Sequence, residues 1–322
     1  MNRMKHLEQL GTQFHISIPT DEGGFVGREC HQADCQGYFK IKPGTGIKGE
    51  VPCHCPYCGH TGDQSEFWTN EQRECALSIV KNKFQDALHK DFAEWDRELQ
   101  RKYRNSFIKL RMDFKGQNHS IRFYREERLE TQIMCDQCTL EYAIYGVFAY
   151  CPDCGVHNSL QILNKNLELA EREIALASTV EQELATYLVG DALENAVAAF
   201  DGFGRETCRV HSQTSSNPDK ALSVSFQNLI GARQRIQELF GVDMVGETAM
   251  QEWELANRCF QKRHLLAHKM GVVDEAYLDA TGDTNGVVGH RVSITPEEVT
   301  CLIMVLRKIG KSLVCQISNQ ER

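Results

Sequence analysis

Long apolar runs are missing from this chain of 322 residues. The longest, Ala143 to Tyr150, covers eight positions and is interrupted by Gly146. A membrane-spanning helix needs about 20 such residues, so no span and no membrane partner is expected. The opening MNRMKHLEQLG has no apolar h-region, so no secretory leader is expected and the reading is a cytoplasmic protein. Positive charge is also short, with 36 Lys and Arg against 44 Asp and Glu, a net −8. That excludes a basic coat over the whole molecule, though not a local basic face. Phosphate loops are absent: Gly23-Gly24, Gly44-Thr45-Gly46 and Gly202-Phe203-Gly204 lack the lysine and the strand–helix setting, so nucleotide hydrolysis is not indicated. Proline is sparse. Five of its seven positions (19, 43, 52, 56, 152) precede residue 155, so loops and strands are expected in front and helices behind.

Cysteine, by contrast, is abundant, at 14 residues. Without an export signal, metal ligation or buried thiols are favoured over disulfides. Cys135-x2-Cys138 and Cys151-x2-Cys154 lie 12 residues apart, and the second reads Cys151-Pro152-Asp153-Cys154-Gly155. Two thiolates three residues apart chelate one ion from a tight turn, in which proline fixes one angle and glycine supplies a positive φ. Two facing turns complete the tetrahedral S4 shell that Zn2+ favours. Upstream, Cys55-Pro56-Tyr57-Cys58-Gly59 repeats the pattern, and Cys30-x4-Cys35 is its simplest partner. Cys53, His31, His54 and His60 are spare ligands that can replace one member of this first set. Two structural Zn2+ sites follow, Cys30/Cys35/Cys55/Cys58 and Cys135/Cys138/Cys151/Cys154. Four sulfurs leave no vacancy for water, so no catalytic metal is expected. Cys208, Cys259, Cys301 and Cys315 sit singly in helical patterns and read as small buried hydrophobes.

These segments resemble zinc ribbons, β-rich modules with CPxCG-like turns in which metal replaces a core too small to stand alone. Between them, Thr69-Asn70-Glu71-Gln72 is a capping box. Apolar residues recur from Ala76 to Tyr103 at helical spacing, predicting a helix of about 35 residues. Alternation at Ile108, Leu110, Met112 and Phe114, then Ile121 and Phe123, predicts a hairpin. From Arg97 to Arg128 ten basic residues face four acids, a net +6, with Tyr103, Phe107, Phe123 and Tyr124 interleaved. Such a segment suits stacked bases, or is a solvated face with buried aromatics.

From Ser159 the pattern is helical, as one long helix or two in tandem, with Asp201-Gly202-Phe203-Gly204 able to end the run. Val224–Phe240 is a second helix closed by Gly241. Thr248-Ala249-Met250-Gln251 opens a third, ending at Gly271, and Thr295-Pro296-Glu297-Glu298 opens a fourth. The acids Glu168, Glu171, Glu173, Glu181, Glu183, Asp191 and Glu194 read as a solvated helix face rather than a hydrolase centre. The expected fold is α+β and multidomain: zinc ribbon 1 over 1–68, a connecting helix over 69–105, a basic hairpin with zinc ribbon 2 over 106–158, and a helical bundle over 159–322.

The third helix carries Arg263-His264-Leu265-Leu266-Ala267-His268. A bundle with R-x4-H late in its course, followed by Gly271-Val272-Val273-Asp274-Glu275-Ala276-Tyr277-Leu278, resembles the HEPN superfamily of metal-independent endoribonucleases over about residues 180–318. The resemblance implies His268 as acid/base, Arg263 as phosphate clamp, RNA as substrate, cyclic-phosphate products, and a cleft shared by two protomers of a homodimer. It also implies a toxin or phage-defence setting. Imidazole titrates near neutrality and guanidinium matches phosphate geometry, so the chemistry is coherent. Arg258 and His264 satisfy R-x5-H, leaving the register open, and His264 shares a helix face with His268. The competing reading is a non-catalytic zinc-ribbon module that binds nucleic acid or protein, its bundle serving only to dimerise.

Overall fold

The computed structural model describes residues 4–14, 16–49, 51–104, 129, 131–246 and 248–320. It divides into two units, Met1–Val156 and His157–Arg322.

In the first unit, short strands are set by the cysteine turns they flank. Helix α1 (Lys5–Gln9) precedes β1 (Val26–Glu29) and β2 (Tyr38–Ile41), which pair antiparallel around the Cys30–Cys35 loop with Glu29 opposite Tyr38. β3 (Cys53–His54) and β4 (Thr61–Gly62) bracket Cys55 and Cys58. After helix α2 (Asn70–Lys102), β5 (Thr131–Met134) and β6 (Glu141–Ile144) bracket Cys135 and Cys138. Lys40 of β2 then pairs with Ala143 of β6. One four-stranded sheet, β1-β2-β6-β5, therefore takes strands from both cysteine-rich segments. Where the sequence reading draws two modules, main-chain hydrogen bonds join them.

The core of this unit is small: Phe39, Phe67, Tyr142, Ile144 and Leu140, together with buried cysteines. α2 starts as the capping box foretells, since Thr69 accepts from the Gln72 amide and the Gln72 side chain accepts from the Thr69 amide. The Gln72 side-chain amide also donates to the Gly27 carbonyl at 2.9 Å, tying the helix to β1. Of its described residues α2 buries only Gln72, Ser78, Ala87 and Asp91, while Leu77 and Phe84 are exposed. The hairpin expected over 108–123 and most of the basic segment lie outside the described residues.

The second unit is helical. α3 (Ser159–Ala177) and α4 (Gln182–Val210) form a hairpin, and α5 (Pro218–Leu222), α6 (Leu229–Phe240), α7 (Met250–Lys269), α8 (Glu275–Thr281) and α9 (Pro296–Gln320) follow. Leu163, Leu193, Phe200, Phe226, Phe260 and Leu306 lie in one continuous core. The run that Gly202 and Gly204 were expected to end continues to Val210. A Cβ on Gly204 would sit 2.4 Å from the Phe226 ring, so this glycine serves close packing and not termination. Gly241 closes α6 in the left-handed conformation, as its position implied. Thr295 and Glu298 cap α9 reciprocally. α7 begins one residue later than expected, with the Ala249 amide donating to Glu252 and no role for Thr248 as its cap.

Candidate metal centres and the arginine–histidine helix

Three cysteine turns share one backbone form. The amides of Cys55, Cys135 and Cys151 donate to the carbonyls of His60, Leu140 and Val156, and the amides of Gly59, Thr139 and Gly155 return to the three cysteine carbonyls. The residue after each second cysteine is left-handed, with φ of 71° at Gly59, 64° at Thr139 and 67° at Gly155. The fourth turn is widened by its two extra residues, Cys30 donating to Gly37 instead, yet Gln36 holds the same position at φ 47°. Thr139 and Gln36 show that this geometry, more than glycine itself, is what the cluster requires.

These turns bring the cysteines into two groups, Cys30/Cys35/Cys55/Cys58 and Cys135/Cys138/Cys151/Cys154, each with its ligand atoms within 4.8 Å of one another. Sulfur pairs across the turns stand 3.7 Å apart for Cys30–Cys58, 3.6 Å for Cys35–Cys55, 3.7 Å for Cys135–Cys154 and 3.5 Å for Cys138–Cys151. A tetrahedron with metal–sulfur bonds of about 2.3 Å has edges of about 3.8 Å, so both groups have the size of a metal shell. Both tetra-cysteine clusters can hold metal ions.

The spare ligands are engaged elsewhere. The His31 ring bonds the Trp68 carbonyl at 2.8 Å, His54 pairs with the Thr61 hydroxyl at 2.8 Å, and His60 lies beside the Phe67 ring. Cys53 is buried outside the cluster, and burial pushes its thiol up to about 12. Burial likewise raises Cys30 and Cys138 to about 11, offset in part by the amides of Gln32 and Leu140. Tyr142, fully buried, has a hydroxyl without a hydrogen-bond partner. Burial and the four cysteines of the second cluster all raise its pKa, so this orphan O–H sits close to sulfurs that would carry negative charge around a metal. A third cluster, His6/Asp91/Glu94, is accounted for structurally: Asp91 accepts the amides of His6 and Leu7, and the His6 ring pairs with Glu94. Of the remaining thiols, Cys208 and Cys259 are buried as expected, Cys301 is half-buried, and Cys315 is exposed because it falls on the outer face of α9.

On α7, His264 and His268 are both exposed, with ring centroids 4.8 Å apart. Arg263 is half-buried, and its Nε is buried without a partner. Five residues of helix turn through about 500°, so Arg263 and His268 leave the axis in different directions, and no hydrogen bond joins them among the described residues. Arg258, the other motif arginine, is 3.7 Å from Glu298. The helix ends with Met270 left-handed and Gly271 donating to the Leu265 carbonyl.

One feature escaped the sequence reading. Lys262 is buried, and its ammonium donates to both Glu298 oxygens at 2.8 Å and to the Ser293 carbonyl at 2.7 Å. Its signal was split between helices, since Glu298 looked like a cap alone. The acids of α3 are paired as a solvated face would be: Glu171 takes Arg307 in a two-pronged bond, and Glu173 takes Asn195. Glu183, Asp191 and Glu194, however, line a hollow of about 400 Å³ with Arg291, Tyr187, Leu266 and Met270. No family model matches the chain, and no curated protein or solved structure matches it.

Proposed function

We propose that the chain is a metal-independent endoribonuclease of the HEPN kind, acting as a homodimer, with structural zinc in both tetra-cysteine clusters. The observation that carries the catalytic part is the exposed His264–His268 pair on the same helix as an arginine whose Nε is unpartnered. RNA supplies its own nucleophile. An imidazole, His268 in this reading, takes the 2′-OH proton as that oxygen attacks the phosphorus, and the bond to the 5′ oxygen breaks to leave a 2′,3′-cyclic phosphate. The departing 5′ oxygen then receives a proton from an imidazole. Arg263 neutralises charge as it gathers on the phosphate. Because Arg263 and His268 diverge on one helix, the reading pairs the arginine of one protomer with the imidazole of the other.

Zinc fits the clusters because four soft thiolates at tetrahedral spacing suit it, and a small core needs such a staple. The ion would be held by Cys30, Cys35, Cys55 and Cys58 in one cluster and by Cys135, Cys138, Cys151 and Cys154 in the other.

The test uses zinc-loaded protein and labelled RNA in buffer freed of other metals. Wild type is expected to cut, and His268→Ala and Arg263→Ala to lose about 10²-fold or more. Uncut RNA with wild type, or equal cutting by the variants, overturns the reading. The α4–α7 hollow, where Glu183, Asp191 and Glu194 outnumber the single Arg291, favours a second reading, a module that binds a protein partner, because its net negative charge repels phosphate.

A further inference from the structure

Beside the first cluster, three tyrosines from three separate segments, Tyr38 of β2, Tyr57 of a cysteine turn and Tyr145 just after β6, meet two carboxylates. The hollow they form, about 570 Å³, is lined by Glu29, Tyr38, Tyr57, Glu71 and Tyr145, with Asn70 and the Cys35–Gly37 loop completing its wall. Its volume lies within the range of about 300–1,000 Å³ usual for small-ligand sites. No lysine or arginine lines it.

The walls are fixed in advance. The Tyr57 hydroxyl donates to the Tyr38 carbonyl at 2.6 Å and accepts the Tyr145 amide at 3.0 Å, so one side chain locks three segments together. The Tyr57 ring lies flush on Gly37, where a Cβ would come within 2.2 Å of it. Glu29 stands opposite Tyr38 across β1 and β2, and its carboxylate accepts the Asn70 amide at 3.3 Å. That contact also caps the positive end of α2, which would otherwise invite an anion.

We infer that this hollow is a binding site for an organic ammonium group, such as a lysine side chain, methylated or not, or a small quaternary amine. Aromatic faces attract a cation through their quadrupole, and carboxylates complete its neutralisation. Four thiolates around a divalent ion at the adjoining cluster would leave surplus negative charge, which adds to the attraction. An anion is disfavoured by Glu29 and Glu71. A hard divalent ion would want six or more oxygens, and these two glutamates form no ligand group with other side chains among the described residues. The inference is independent of the activity proposed for α7.

Saturation-transfer NMR on the full zinc-loaded chain tests it, with choline, Nε-trimethyl-lysine and lysine as probes. The neutral isostere 3,3-dimethyl-1-butanol is the control. At least one ammonium probe is expected to bind and the isostere not to. Glu71→Gln and Tyr145→Leu, with zinc content and thermal midpoint unchanged, are each expected to weaken binding about fivefold or more. Trimethyl-lysine or lysine binding above choline identifies a protein side chain as the source, and the reverse identifies a small amine. The inference is overturned if no ammonium probe binds at about 10 mM, if the isostere binds as well as choline, or if both variants bind as wild type does.

Discussion

The Tyr57 hydroxyl gives its proton to the carbonyl of Tyr38, 2.6 Å away, and so ties a cysteine turn to a strand of the shared sheet. Its second bond, from the Tyr145 amide, reaches the end of β6. Tyr142, nearby in sequence, is the opposite case, with a buried hydroxyl and no partner. Tyr57→Phe removes both hydrogen bonds and is expected to cost about 1–2 kcal/mol. Tyr142→Phe removes only the orphan and is expected to cost under about 0.5 kcal/mol. Urea unfolding of the first unit compares them. Equal losses would count against the two environments described.

Two glycines in the C-terminal half of α4 separate propensity from packing. A Cβ on Gly202 meets nothing within 4 Å, while one on Gly204 strikes the Phe226 ring. Gly202→Ala is therefore expected to stabilise by roughly 0.5–1 kcal/mol, the ordinary helix gain. Gly204→Ala makes the same gain but must displace a buried phenylalanine, an overpacking cost of about 1–3 kcal/mol, so its net effect is destabilising. Opposite shifts in thermal midpoint are the expected result, and shifts of one sign would contradict the packing.

The legible parts of this chain are those whose signal is local. The cysteine turns, the Thr69 and Thr295 caps and the Gly241 stop each depend on residues within a few positions, and each is found where its motif lies. The pairing of Lys40 with Ala143 depends on strands 103 positions apart, and no short motif announces it. The passage of α4 through Gly202 and Gly204 was hidden for a similar reason, since the partner that makes Gly204 useful, Phe226, belongs to another segment. Lys262 and Glu298 were each readable, but their union was not. The relation of Arg263 to His268 is legible only as a spacing, because its meaning depends on what faces the helix.

Metal content follows directly from the sulfur geometry. Purified protein is expected to carry about two zinc ions per chain, and Cys151→Ser about one, because the two clusters share no ligand. Chelation should unfold the first unit, whose core is small, while α3 to α9 keep their helical signal. Elemental analysis with far-ultraviolet circular dichroism checks both. A single ion in wild type, or loss of all helicity on chelation, would refute the independence of the clusters and of the two cores.

Acid should loosen α4 at a particular carboxylate. Burial pushes Glu206 up, but a two-pronged bond from Arg209 at 2.6 and 2.7 Å, and the His157 ring at 3.2 Å, outweigh it and hold the carboxyl at about 2. A carboxylate depressed in the folded state contributes its stability above the unfolded value, here 4.5, and loses it as pH falls toward 2. The contribution at neutral pH is on the order of 2 kcal/mol. Glu206→Gln, which cannot ionise, lacks that contribution at every pH. Hydrogen exchange over α4 should therefore be faster in the variant at pH 7, and the gap should close between about pH 4.5 and pH 2 as wild type protonates. A gap that stays constant across this window would mean that the Glu206 charge is not what holds the end of α4.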